Sequence, residues 1–137
     1  MLHIWGFEYS KGKYRFSLRP LRLFDRYEPN DDIVHAAPIP LRQTIEASIM
    51  DAADTDFYSF AASESGTAQI EIRTRSTTLI PALTIYSSDR RANGSAPEVK
   101  TAGANISYMF PTKPKETYYV QVSGQAKTAG AYTLTVQ

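Results

Sequence analysis

Short stretches in which apolar and polar residues alternate recur along most of the chain. In Tyr132–Val136, for example, every second residue is apolar. Successive side chains of a strand point to opposite faces of a sheet, so this alternation predicts half-buried strands rather than helices. The predicted strands are Thr44–Met50, Asp56–Ala61, Ala68–Arg73, Ala82–Tyr86, Ile106–Phe110, Tyr118–Val122 and Tyr132–Val136.

Turn-forming residues separate these strands, as at Ser65-Gly66, Asn93-Gly94-Ser95 and Ala129-Gly130. Glycine and asparagine favour turns because they tolerate backbone conformations that other residues avoid. Strands at this spacing predict an all-β fold, an antiparallel jelly-roll-like β-sandwich. With 137 residues, of which 42% are hydrophobic, the chain has enough material for one such core.

The first nineteen residues repeat the pattern of the last nineteen. A shift of 118 positions superimposes four apolar positions and three identical pairs, which are Gly6 and Gly124, Gly12 and Gly130, and Tyr14 and Tyr132. We therefore interpret residues 1–19 as an extra N-terminal β-hairpin, the end of a preceding repeat of this domain. Residues 20–27 are then a linker and residues 28–137 the sandwich. Two unrelated hairpins with similar turns remain the alternative.

The N-terminal hairpin is predicted to be apolar on both faces. Trp5, Phe7 and Tyr9 stand where the C-terminal copy has polar residues. An isolated two-stranded hairpin is only marginally stable in water, and an exposed apolar patch favours association. We therefore expect these three side chains to form an interface, either with the following sandwich or with a second chain in a homodimer.

Charge and composition exclude several classes of function. The net charge is +1, and no basic run with interleaved aromatic residues occurs in the main body, so nucleic-acid binding is not expected. No apolar segment is long enough to span a membrane. The first residues lack the basic and apolar regions of a signal peptide, so an export signal is expected outside this chain.

The sequence contains no catalytic motif. It has no cysteine and only two histidines, His3 and His35, and no nucleophile or phosphate-binding signature. We therefore expect that the chain is not an enzyme.

Three motifs, in this order, carry a resemblance to a known family. They are the segments Glu28–Asp31 (Glu-Pro-Asn-Asp), Asp54–Tyr58 (Asp-Thr-Asp-Phe-Tyr) and Gly130–Val136 (Gly-Ala-Tyr-Thr-Leu-Thr-Val). Together they resemble the bacterial pre-peptidase C-terminal domain over residues 28–137. The resemblance implies a jelly-roll-like sandwich that commonly follows secreted peptidases and other hydrolases, often in tandem copies.

This family is similar to the collagen-binding modules of clostridial collagenases, in which calcium is held where the entering linker meets the sheet. The resemblance implies that Glu28, Asn30 and Asp31 are linker ligands, that Asp56 is a ligand on the sheet, and that Asp54 assists. Carboxylate and carbonyl oxygens are the ligands that calcium prefers. Residues 28–56 also hold seven acidic residues against one basic residue, a crowding that favours a bound cation.

One departure from the collagenase pattern bears on the number of ions. Arg26 stands where a further linker carboxylate would be, which puts a site for two calcium ions in doubt. The same polar residues also fit a metal-free alternative, in which Asx turns and backbone hydrogen bonds fasten the linker to the sheet.

The expected function is that of a non-catalytic accessory module of a secreted, periplasmic or surface protein. It would space or stabilise the catalytic or repeat domains of a longer parent chain, or attach them to a target. A second hypothesis is a module that binds protein or polysaccharide through exposed aromatic residues, with Tyr86, Tyr108 and Tyr118 as candidates. A third is an assembly element acting through the N-terminal hairpin.

Overall fold

The structure is a computed structural model, and it describes residues 25–137. The helices of this part of the chain are two single 3-10 turns, Ile33–His35 and Gln125–Lys127. None of its helices is long and apolar enough to cross a membrane. The strands are β1 (Ala37–Pro38), β2 (Thr44–Ile49), β3 (Thr55–Ala61), β4 (Gly66–Thr74), β5 (Pro81–Tyr86), β6 (Ala92–Ser95), β7 (Ile106–Thr112), β8 (Thr117–Gly124) and β9 (Gly130–Val136).

The strands form two sheets that pack face to face. The five-stranded sheet has the order β1-β3-β8-β5-β6, and the four-stranded sheet has the order β2-β9-β4-β7. Every pairing is antiparallel except that of β1 with β3. The predicted all-β antiparallel sandwich is thereby confirmed, as are the seven strands that the alternation indicated.

The core lies between the two sheets and follows the alternation in the sequence. Val120 and Val122 of β8 point inward from the five-stranded sheet, and Ile70 and Ile72 of β4 point inward from the other; all four are fully buried. Each such side chain contributes about 1.5–3 kcal/mol of hydrophobic stabilisation. The same inward face of β3 continues past its apolar residues to Asp56, which places a carboxyl group at the end of the core.

Two strands were not expected from the sequence. The segment Asn93-Gly94-Ser95, interpreted above as a turn, belongs instead to the edge strand β6. Its turn-like composition reflects a β-bulge, because Ile85 pairs with Gly94 whereas the next residue, Tyr86, pairs with Ala92. The other new strand, β1, is only two residues long and runs parallel to β3.

The predicted N-terminal hairpin lies outside the described residues. The same holds for its proposed interface residues Trp5, Phe7 and Tyr9, and for the dimer expected through them. Of the predicted linker 20–27, the structure describes Asp25–Tyr27. The division of the chain into these segments and a sandwich at 28–137 stays a prediction.

The connection from β8 to β9 depends on Gly124, since a Cβ at this position would overlap the carbonyl oxygen of Thr128. We expect Gly124→Ala to lower the free energy of unfolding by about 1–3 kcal/mol, because backbone must move to admit the methyl group. Urea denaturation followed by circular dichroism measures this. The half-buried neighbour Ser123 is the control, and Ser123→Ala should change stability by less than about 0.5 kcal/mol. Equal stability of the two variants would contradict the prediction.

Candidate metal centre

The linker as the structure describes it, residues 25–31, reaches the sandwich at its β3 edge and is fastened there through Asn30. The N–H of Phe57 donates to the carbonyl oxygen of Asn30 at 2.8 Å, and Nδ2 of Asn30 donates to the carbonyl oxygen of Phe57 at 3.2 Å. Asn30 is fully buried. Its main chain and side chain thus occupy both backbone groups of Phe57, which places the acidic residues of the linker beside the start of β3.

Asp56 provides the carboxylate on the sheet. It points into the core and is fully buried. The Tyr132 hydroxyl donates to Asp56 Oδ2, and the Tyr58 hydroxyl lies 3.3 Å from the same oxygen and 2.7 Å from the Tyr132 hydroxyl. Burial raises the pKa of Asp56 to about 8, although the hydrogen bond from Tyr132 acts in the opposite direction. Without a cation, this carboxyl group holds a proton at neutral pH.

Asp54 closes the turn between β2 and β3 and is 8% exposed. Its Oδ2 accepts a hydrogen bond from the N–H of Met50 at 2.5 Å. Loss of hydration raises the pKa of Asp54, and the negative charge of Asp31 raises it further. Asp31 itself is exposed at the mouth of the cluster.

Glu28 lies between these groups. Its Oε2 accepts a hydrogen bond from the N–H of Asn30 at 3.2 Å. Desolvation raises the pKa of Glu28 in spite of this bond, and the nearby carboxylates of Asp54, Asp31 and Asp25 add to the effect. Three other carboxylates of the cluster therefore act on the pKa of Glu28.

Four buried oxygen atoms in this cluster have no hydrogen-bond partner. They are Oε1 of Glu28, Oδ1 of Asn30, Oδ1 of Asp54 and Oδ1 of Asp56. A buried polar atom left unpaired costs about 1–3 kcal/mol, and more when it is charged. These four oxygen atoms are potential ligands for a cation.

The carboxylates form two overlapping triads that share Glu28. In one triad Glu28 meets Asp25 and Asp56, and in the other it meets Asp31 and Asp54; within each triad, one oxygen of every carboxylate lies within 4.8 Å of the others. Four of the five predicted ligands thus lie in the triads, and the fifth, Asn30, is joined to them by its N–H, which donates to Oε2 of Glu28. Whether they bind a metal stays a prediction.

Asp25 is the member of the cluster that the sequence did not indicate. Its Oδ2 accepts from the N–H of Ser48 on β2 at 2.8 Å, and its Oδ1 accepts from the N–H of Tyr27 at 2.9 Å. Asp25 thus joins the linker to the four-stranded sheet. In the sequence, Arg26 stands at the position of the further linker carboxylate in the collagenase pattern. The sequence does not show that the neighbouring residue, Asp25, is the one that joins the cluster.

Arg26 is directed away from the carboxylates. Its guanidinium group lies over the ring of Tyr27, 5.0 Å from the centroid, and Nη2 donates to the Tyr27 hydroxyl at 2.7 Å. Tyr27 in turn packs edge to face against Tyr58, with 5.7 Å between ring centroids. The arginine therefore forms no ion pair with the carboxylates of this cluster. Its neighbour Asp25 supplies a further carboxylate, and the number of ions that the cluster binds stays a prediction.

The donor set fits calcium. It consists of carboxylate and amide oxygens, which suit hard cations with six to eight oxygen ligands at flexible geometry. Within residues 25–137, the clusters with metal-ligand spacing contain no histidine, and the chain has no cysteine. Zinc and copper, which prefer nitrogen and sulfur ligands, are therefore poor matches.

The three tyrosines proposed for ligand binding occupy different environments. Tyr118 is buried in the core at 2% exposure, where it packs against Phe60 and Phe110, so it offers no exposed ring. Tyr108 is half-buried, and its hydroxyl fills the space beside Gly94. Tyr86 alone of the three lies on the outer face of the five-stranded sheet.

Neither a family model nor a curated protein sequence matches the chain. Among solved structures, the chain resembles the pre-peptidase C-terminal domain of a collagenase from Bacillus anthracis, with a TM-score of 0.62 and 21% identity over 74% of this chain and 94% of that one. At this identity the likeness concerns the fold, and the resemblance inferred from the sequence motifs is confirmed at that level.

Two further structures share the sandwich. One is PliG from Aeromonas hydrophila, a periplasmic inhibitor of g-type lysozyme, with a TM-score of 0.51 and 13% identity over 74% of this chain and 96% of that one. The other is CorA, a surface-associated copper-binding protein of Methylomicrobium album, with a TM-score of 0.52 and 8% identity over the same shares. The fold therefore serves proteins of different function.

The raised pKa of Asp56 predicts an unusual dependence of stability on pH in the presence of a chelator. Between roughly pH 4 and 8, the folded protein retains a proton on Asp56 that the unfolded chain releases. The free energy of unfolding should therefore fall as the pH rises from 5 to 8. In Asp56→Asn, which cannot ionise, the fall should be smaller. Urea denaturation with EDTA at both pH values measures it, and stability that increases with pH would contradict the prediction.

Proposed function

We propose that this chain is a non-catalytic accessory module whose linker is fastened to the sandwich by calcium. The observation that carries the proposal is the set of four buried, unpaired oxygens on Glu28, Asn30, Asp54 and Asp56. Two of these residues come from the linker and two from the start of β3 and the turn before it. A cation between them would hold the two segments together.

The charge balance of the cluster supports a cation. None of the ion pairs among residues 25–137 involves Asp25, Glu28, Asp31, Asp54 or Asp56. Like charges at this spacing repel one another, and burial adds a desolvation cost for each ionised group. A divalent cation offsets both terms without removing the charges. The competing arrangement is protonation, in which a neutral carboxyl group donates to a neighbouring oxygen, and the response of stability to calcium distinguishes the two.

Such a lock would give the module a fixed entry point. The linker contacts the four-stranded sheet through Asp25 and the five-stranded sheet through Asn30. A domain attached ahead of the linker would then be held in a defined direction rather than on a flexible tether. We therefore assign the module the role of spacing and stabilising neighbouring domains of a longer parent chain.

The proposed setting is extracellular, periplasmic or on the cell surface. Extracellular calcium modules work at dissociation constants of about 10⁻⁴ to 10⁻³ M, a range in which calcium is available outside cells. The periplasmic and surface-associated proteins that share the sandwich are compatible with this setting.

Calcium should raise the melting temperature, since it binds the folded state and not the unfolded chain. A concentration one hundred times the dissociation constant stabilises by about 2.7 kcal/mol. EDTA should reverse the effect. Asp56→Ala and Asp25→Asn should each abolish or strongly reduce the response, because each removes one carboxylate of the same triad. Differential scanning fluorimetry with 0 to about 10 mM calcium measures these shifts, at concentrations spanning the extracellular range.

Asp51→Asn provides the matched control, because Asp51 lies in the turn before Asp54 but is exposed and outside both triads. Its calcium response should equal that of the unchanged protein. If neither calcium nor EDTA moves the melting temperature, the proposal is wrong and the cluster is a metal-free polar lock.

The same lock should protect the linker from trypsin. Arg26 is exposed and follows Asp25 directly, so cleavage after it requires the linker to leave the sheet. We expect calcium to slow cleavage at Arg26 severalfold, because proteolysis of a folded segment follows the population of its open form. Mass spectrometry of timed digests identifies this site among the others. Cleavage after the exposed Lys115 in the β7–β8 turn, remote in sequence from the triads, serves as the internal control and should proceed at the same rate with and without calcium.

A further inference from the structure

The outer face of the five-stranded sheet carries no charged side chain on its three central strands. The outward residues of β3, β8 and β5 are half-buried except Ala61, which is exposed. They are Thr55, Phe57, Ser59, Ala61, Thr117, Tyr119, Gln121, Ser123, Ala82, Thr84 and Tyr86. In a chain in which 21% of residues are charged, eleven uncharged positions on one face call for a physical reason.

The outer face of the other sheet shows the ordinary arrangement. There Glu71 of β4 pairs with Arg73 at 3.4 Å, and Glu46 of β2 pairs with Arg75 at 3.1 Å. These exposed ion pairs keep that face solvated and add little stability. The two outer faces of one small domain therefore differ in chemistry, and the difference is not needed for the fold.

The uncharged face has an aromatic centre. The rings of Phe57 and Tyr86 lie 6.0 Å apart between centroids, with 44° between their planes. The sheet register sets Gln121 directly opposite Phe57, and it sets Tyr119 opposite Tyr86. Three aromatic side chains from three adjacent strands thus surround one amide group.

That amide is held in a fixed orientation. The Tyr86 hydroxyl donates to Oε1 of Gln121 at 2.6 Å. Within residues 25–137, the two N–H groups of Gln121 Nε2 donate to no acceptor. Ser59 and Thr84, which flank Tyr119 and Gln121 in the register, add hydroxyl groups that both donate and accept.

We propose that this face, defined by Phe57, Tyr86, Tyr119 and Gln121, binds a neutral polysaccharide. A pyranose ring presents C–H groups that pack on aromatic rings, while its hydroxyls need hydrogen-bonding groups between those rings. The absence of charge matches an uncharged ligand. The hydroxyl and amide groups of Ser59, Thr84 and Gln121 between the rings suit the hydroxyls of a sugar better than the apolar core of a protein interface does. The proposal is independent of the calcium centre, since it uses none of the five carboxylates.

Affinity electrophoresis of the full chain tests the proposal. Native gels would contain barley β-glucan, konjac glucomannan, xylan or pullulan, with alginate as an anionic comparison. The protein should be retarded by at least one neutral polysaccharide and not by alginate. Phe57→Ala, Tyr86→Ala and Tyr119→Ala should each weaken the retardation about tenfold, the loss expected for an aromatic anchor.

Met109→Ala is the control variant, because Met109 is an apolar side chain on the other sheet and is 64% exposed. It should bind as the unchanged protein does. Melting curves establish that every variant is folded, and Gln121→Leu, which keeps the size of the side chain, covers a case in which an aromatic variant unfolds; it too should weaken binding.

Three results would overturn the proposal. The first is the absence of retardation in all four neutral gels. The second is retardation that the variants of the aromatic face leave unchanged. The third is retardation in a gelatin gel alone, which would show that the face binds protein and not polysaccharide. A failure here leaves the calcium response of the melting temperature unaffected, so the two proposals are judged separately.

Discussion

The buried carboxyl group of Asp56 is the point on which the linker, the two sheets and the candidate metal centre all depend. It extends from β3 in the five-stranded sheet and accepts a hydrogen bond from Tyr132 of β9 in the four-stranded sheet. Tyr58 completes this group from the same strand as Asp56. One oxygen of Asp56 is thereby used inside the core. The other faces the linker, where no described group donates to it.

This arrangement explains why the linker adopts the path it does. When Asp56 is ionised, it attracts cations and repels other carboxylates. Yet the linker brings an oxygen of Asp25 and an oxygen of Glu28 within 4.8 Å of an oxygen of Asp56. Backbone hydrogen bonds at Asp25 and Asn30 hold these groups in place against that repulsion. Local hydrogen bonding thus sets the geometry, and the electrostatic cost of that geometry is what a calcium ion would remove.

The sequence predicted the fold well because alternation and turn chemistry agree over most of the chain. The prediction from the sequence was wrong where a residue type is common in two kinds of structure. Asn93 and Gly94 are typical of turns, but they also suit a bulged edge strand. It failed again at Tyr118, which was expected to be exposed and is instead buried in the core. Tyr118 shares its parity with the buried Val120 and Val122, so the alternation itself carried the correct answer.

The candidate centre was predictable in part for a different reason. Asn30, Asp54 and Asp56 lie in motifs that can be read directly from the sequence. Asp25 belongs to none of these motifs. Its position depends on how an irregular segment crosses from one sheet to the other, and no periodicity governs such a crossing. The contact that places it, from the N–H of Ser48, joins residues 23 positions apart and is visible only in the folded chain.

The bond between Asn30 and Phe57 has a consequence for how copies of the domain behave in solution. β3 would otherwise be the edge of its sheet, with unpaired backbone groups open to the strands of another molecule. Asn30 occupies both groups of Phe57, β1 pairs beside Tyr58 and Ser59, and the N–H of Ile39 donates to Ser59 at 2.9 Å. The segment from Asn30 to Ile39 thus covers the edge of the sheet at β3. Another molecule cannot pair with the backbone groups that this segment occupies, which opposes edge-to-edge aggregation.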